Sequence, residues 1–124
     1  MIKNVKIAVV EDNTSIRDLI VDTLMFSVNR EVVSFQDAIS AWGYFDENNN
    51  TDIIISDVEM PGMNGLELLT KVKTQYPKKI FIVMSGNPSY EKKAKKLGAD
   101  AFLAKPFDIE ALFSLVELYV VGRN

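Results

Sequence analysis

A chain of 124 residues, 48% hydrophobic and 25% charged, has the size and balance of one globular domain with a real core. It holds no cysteine and no histidine, which excludes disulfides, thiolate or imidazole metal sites, a cysteine nucleophile and a phosphohistidine carrier. A net charge of −3 argues against direct nucleic-acid binding, and no run approaches the roughly 20 apolar residues of a membrane span, so the expected compartment is the cytoplasm.

Val5–Val10 reads Val-Lys-Ile-Ala-Val-Val, a strand by its β-propensity, and stops at Glu11-Asp12-Asn13. Thr14 or Ser15 is the expected cap of a helix running to about Phe26, with Ile16, Leu19, Ile20 and Leu24 at helical spacing. Glu31–Phe35 predicts a second strand. A helix from about Asp37 to Asp46 follows, with Ile39, Trp42 and Phe45 as its expected buried stripe. Asp52–Asp57 holds three consecutive isoleucines, an apolar β-branched run that suits a strand buried on both faces. Pro61, Gly62, Asn64 and Gly65 prevent that strand from continuing. Gly65–Tyr76 is the third helix, facing inward through Leu66, Leu69 and Val72 and closed by Pro77. Lys79–Gly86 predicts a fourth strand. A helix over Ser89–Leu97 is stopped by Gly98, Ala101–Ala104 is a fifth strand, and Ile109–Val121 is the last helix, with Ile109, Leu112, Phe113, Val116 and Val120 on one stripe.

Five strands alternating with five helices predict an α/β doubly wound parallel sheet with helices on both faces. Polar residues stand where four of the strands stop: Glu11 and Asp12, Asp57, Ser85, and Lys105. In such a sheet these ends meet at one crevice. Three carboxylates there repel one another and raise at least one pKa, which a hard divalent cation relieves; Mg²⁺ takes such oxygen ligands together with a phosphate. Lys105 and the Ser85 hydroxyl suit phosphoryl oxygens, which leaves Asp57 as an oxygen nucleophile. The chemistry inferred is phosphoryl transfer to Asp57.

With Glu11-Asp12, Asp57 inside Asp57-Val58-Glu59-Met60-Pro61-Gly62-Met63-Asn64-Gly65, Ser85-Gly86 and Lys105-Pro106-Phe107 at this spacing, the whole chain resembles the receiver domains of two-component response regulators. The resemblance implies a CheY-like, flavodoxin-like (βα)5 sheet in strand order 2-1-3-4-5, and Mg²⁺-dependent phosphoryl transfer to Asp57 from the phosphohistidine of a sensor histidine kinase or a histidine phosphotransfer protein. It implies that Asp12, Asp57 and the Glu59 backbone carbonyl ligate the metal and that Glu11 acts through water. It also implies that Ser85 and Phe102 move on phosphorylation, that Glu59 and Asn87 tune the phosphoryl lifetime, and that Lys105–Pro106 is cis. Phe102 stands where the family often has tyrosine, so no phenolic hydrogen bond reports the switch. The penultimate helix, last strand and last helix would meet a downstream protein partner. Lys92, Lys93, Lys95 and Lys96 read as a solvated face, or alternatively as a dock for an acidic partner. Leu115, Leu118 and Tyr119 widen the last helix's apolar content toward a partner or dimer contact. The expectation is a stand-alone receiver without an output domain, a phosphoacceptor switch and not an enzyme, monomeric or dimerising on phosphorylation. The alternatives are the receiver portion of a longer transcriptional or enzymatic regulator, or a pseudo-receiver adaptor. A small phosphatase of the haloacid-dehalogenase type fits less well, since it would carry an aspartate where Glu59 stands.

Overall fold

The structure, a computed structural model, describes residues 5–26 and 30–121. Its elements run β1 (Val5–Val10), α1 (Thr14–Met25), β2 (Arg30–Phe35), α2 (Ala38–Glu47), β3 (Ile53–Asp57), α3 (Gly65–Gln75), β4 (Ile80–Ser85), α4 (Tyr90–Lys96), β5 (Ala101–Ala104) and α5 (Ile109–Val121). All five strands pair in parallel in the order β2-β1-β3-β4-β5. This is the flavodoxin-like order that the resemblance implies. Among the described residues no helix is long and apolar enough to cross a membrane.

Side chains alternate across a strand, so the isoleucine run divides between two cores. Ile53 and Ile55, with Ile7, Val9, Ile82 and Met84, meet Ile20 and Leu24 of α1 and Leu112, Val116 and Val120 of α5. Ile54, with Ala8, Val10, Phe81 and Val83, meets α2, α3 and α4 on the other face. Each fully buried isoleucine contributes roughly 1.5–3 kcal/mol of transfer free energy. Together they anchor β3, whose last residue is Asp57.

Three helix expectations are corrected. In α2 the inward residues are Ala38, Ala41 and Phe45, while Ile39 is 60% exposed and Trp42 is partly covered. Two alanines let this helix approach the sheet closely, which turns Ile39 away toward Gly62. In α5 the buried ridge is Leu112, Val116 and Val120 at a spacing of four, and Ile109 and Phe113 stay exposed on its flank. Leu115 and Tyr119 pack partly against this core, and Leu118 is exposed. The cap of α1 is Asn13, whose Oδ1 accepts the Ile16 N–H at 3.0 Å; neither Thr14 nor Ser15 serves. Leu19 of the same helix is also exposed. Gly98 has φ 105°, a left-handed value that a C′ glycine adopts without strain.

Candidate functional site

The C-terminal ends of β1, β3, β4 and β5 bring together the polar residues that interrupt their apolar runs. β1 is extended by the Glu11 N–H, which donates to the Phe35 carbonyl at 3.0 Å. That bond directs the Glu11 side chain inward, where it is 1% exposed. Its Oε2 accepts the Asn13 N–H at 3.1 Å, and Arg17 Nη1 donates to its backbone carbonyl at 2.7 Å. Asp12, next in the chain, is exposed. One carboxylate oxygen from each of Glu11, Asp12 and Asp57 lies within 4.8 Å of the others.

Asp57 is buried, and its Oδ1 accepts the Val58 N–H at 3.0 Å. The chain then folds back sharply: the Gly65 N–H donates to the Val58 carbonyl at 2.9 Å, and a Cβ on Gly65 would stand 2.0 Å from the Asp57 carbonyl oxygen. Only glycine fits that approach. Asn64 and Glu67 form a reciprocal capping box that starts α3 at this point. The β3–α3 loop is therefore held at both ends around Asp57.

Lys105, just past β5, reaches into the acidic group. Its Nζ donates to Glu11 Oε1 at 2.6 Å and lies 3.4 Å from Asp57 Oδ1. The Lys105 N–H donates to the Ser85 carbonyl at 2.9 Å, which ties the ends of β4 and β5 together. Ser85 is 1% exposed, and its Oγ accepts the Asn87 N–H at 3.0 Å. The Lys105–Pro106 peptide bond is cis.

The electrostatics follow from this crowding. Burial, and then repulsion from Glu11, raise the Asp57 carboxyl to about 6, against the opposing pull of Lys105 and the Val58 N–H. The repulsion expected among the carboxylates is present, but desolvation is the larger cause. Burial disfavours the Lys105 ammonium, yet its bond to Glu11 and the attraction of Asp57 outweigh that and raise its pKa. Three carboxylates against one lysine leave the group short of positive charge. An all-oxygen donor set with surplus negative charge fits a hard divalent cation such as Mg²⁺.

Glu11, Asp12, Asp57 and Lys105 thus meet at the strand ends, and Ser85 stands next to Lys105, whose N–H donates to the Ser85 carbonyl. Glu59 and Asn87 are exposed beside them. Phe102 is set apart, half-buried in the layer of α2, α3 and α4. Sequence reading missed two supports, Asn13 and Arg17, and took Gly65 only as a strand breaker and helix start, without its close approach to the Asp57 carbonyl. Asn13 carried a signal, since asparagine just before Thr14 is a strong cap. Arg17 and Gly65 act through contacts that only the folded chain makes.

The sequence family described as the response regulator receiver domain matches residues 7–117. Chemotaxis protein CheY1 of Helicobacter pylori is 32% identical over 123 residues, which cover 96% of this chain and 98% of that protein. Response regulator protein FleR of Pseudomonas aeruginosa is 32% identical over 120 residues, which are 95% of this chain and 25% of FleR. Among solved structures, chemotaxis protein CheY4 of Vibrio cholerae has a TM-score of 0.83 at 31% identity, covering 94% of this chain and 98% of its own. Response regulator TrrA of Thermotoga maritima, solved in complex with Mg²⁺-BeF, has a TM-score of 0.83 at 26% identity, covering 91% and 96%. The family match runs from within β1 into α5, and so takes in every strand end that carries the acidic group, the serine and the lysine. The chain belongs to the response regulator receiver domain family of two-component signalling.

Proposed function

We propose that this receiver is a phosphorylation switch whose acceptor is Asp57. The donor is the phosphohistidine of a sensor histidine kinase or a histidine phosphotransfer protein. The observation that carries this reading is the meeting of Glu11, Asp12 and Asp57 within 4.8 Å, with Lys105 against Glu11 and Asp57. A relative of similar fold, TrrA, was solved with Mg²⁺-BeF, which supports the same reading of the acidic group.

Asp12, Asp57 and the Glu59 backbone carbonyl would hold Mg²⁺, with Glu11 acting through a water. The ion when bound supplies positive charge to the phosphoryl oxygens. An Asp57 carboxylate oxygen attacks phosphorus; the P–N bond to the donor imidazole breaks, and its electron pair stays on that nitrogen. Burial of Asp57 keeps solvent from competing for the attack. The Lys105 ammonium exchanges part of its contact with Glu11 for a phosphoryl oxygen, and the Ser85 O–H donates to another. Ser85 is already tied to Lys105 through its carbonyl, so one movement draws β4 and β5 together. Phe102 on β5 follows, and α4, β5 and α5 become the surface that a downstream protein reads. Glu59 and Asn87, exposed at the rim, set how readily water reaches the acyl phosphate. The protein acts as a switch, and its one chemical step is on itself.

Asp57→Asn tests the assignment. Incubation with acetyl phosphate and Mg²⁺ should label the parent chain and leave the variant unlabelled; full labelling of the variant would overturn the assignment.

A further inference from the structure

We propose that the cavity at the N-terminal edge of the sheet, at the opposite pole from Asp57, binds a small organic oxyanion between Lys79 and the ring of Tyr76. Two loops build it. Residues 48–52 join α2 to β3, and the turn Tyr76–Lys79 joins α3 to β4. Parallel pairing of β3 with β4 sets these loops side by side, with the Ile80 N–H on the Asp52 carbonyl at 3.0 Å. The turn is closed by the Lys79 N–H on the Tyr76 carbonyl at 3.1 Å, with Pro77 at its second position. Lys73 braces it from α3 by donating to the Lys79 carbonyl at 2.6 Å.

The cavity has a volume of about 400 Å³, within the range of small-ligand sites. Lys79 lies in its wall and is 8% exposed. Its ammonium donates to the Thr51 carbonyl and lies 5.2 Å from the centroid of the Tyr76 ring. Among the described residues it has no carboxylate within ion-pair distance. Asp52 also lines the cavity but acts on Lys79 only from beyond ion-pair distance, and its carboxylate accepts the Lys6 N–H at 3.0 Å. A cation withdrawn from water without a counter-ion is costly, and an ammonium has three donors, of which Thr51 takes one. The balance is met by an anion entering from the cavity.

Tyr76 supplies a fixed apolar wall. Its O–H donates to the Phe45 carbonyl at 3.5 Å, and its ring lies 6.3 Å from that of Trp42. Exposed Lys78 adds a second positive charge, and Asn49 and Asn50 line the same cavity. A planar body on Tyr76 with an oxyanion on Lys79 uses both features. The oxyanion is a carboxylate or a phosphate monoester, and the test separates the two.

The metal-free full chain would be titrated with phenyl phosphate and, separately, with benzoate, and followed by amide NMR. Saturable shifts are expected at Asn49, Asn50, Thr51 and Lys79 with a dissociation constant below about 10 mM, and the tighter probe identifies the group. Lys79→Met should weaken binding at least tenfold while keeping a dispersed spectrum. If that variant does not fold, Tyr76→Leu carries the same decision, since it removes the ring and leaves the cation. Absence of shifts at these amides with both probes, equal shifts with sodium chloride, or unchanged affinity in a folded variant would overturn the proposal.

Discussion

Asp57 and Lys105 set the energetics of the acidic group when no metal is bound. An aspartate raised from 3.8 to about 6 is favoured in its protonated form by the fold. Below pH 4 both folded and unfolded chains carry the proton, and nothing is lost. Between about pH 4 and about 6 the unfolded chain is ionised while the folded Asp57 still holds its proton, so the folded state loses stability across that window and the loss is complete above it. Asp57→Asn removes that loss. In metal-free urea unfolding it should exceed the parent by about 2–3 kcal/mol at pH 7.5 and match it near pH 4. Equal stabilities at both pH values would contradict the burial of an unbalanced charge. Lys105→Met acts in the opposite sense. It strands Glu11, 1% exposed, without its cation and should cost about 3 kcal/mol at pH 7.5 without metal. Saturating Mg²⁺ should recover much of this deficit, read in the same unfolding experiment.

The β3–α3 loop connects the residue scale to the elements. It turns on Gly65, where a methyl group would meet the Asp57 carbonyl oxygen at 2.0 Å. Gly65→Ala must move β3 or α3, so it should cost about 3 kcal/mol or more in urea unfolding, even though alanine favours helix. A stabilised Gly65→Ala would show that the loop has slack. Strands were the legible part of this fold. Runs such as Ile53-Ile54-Ile55 have one physical solution, and the polar residue that ends each run marks the edge that carries the candidate site. Helix faces were less legible. Apolar spacing in α2 pointed to Ile39 and Trp42, but small Ala38 and Ala41 pack closest to the sheet, and no periodicity rule ranks a small residue above a large one. The pairing of Lys105 with Glu11 was out of reach as well. It joins residues 94 positions apart, and until the strand order is known the lysine has no assigned partner.

At the scale of the molecule, charge is divided. Eight of the 14 basic residues but one of the 17 acidic ones fall between Lys71 and Lys96, so α4 and the end of α3 are basic while the rest is acidic. The acidic group at the strand ends therefore lies in a negative field that attracts a divalent cation. Mg²⁺ that binds the folded chain alone should stabilise the whole domain by mass action, about 2.7 kcal/mol at a hundredfold excess over its dissociation constant. The gain should be larger at pH 7.5 than at pH 5, where Asp57 keeps its proton, and calorimetric unfolding at the two pH values reads the difference. A gain that is independent of pH would place the ion elsewhere. Trapping the phosphorylated product shows whether Asp57 is the acceptor. Chain treated with acetyl phosphate and Mg²⁺ would be reduced with borohydride, which converts an aspartyl phosphate to homoserine, then digested and sequenced by mass spectrometry. Homoserine is expected at position 57 and at no other position; an unreduced Asp57 beside a reduced Glu11 or Asp12, or beside a phosphorylated Ser85, would contradict the assignment.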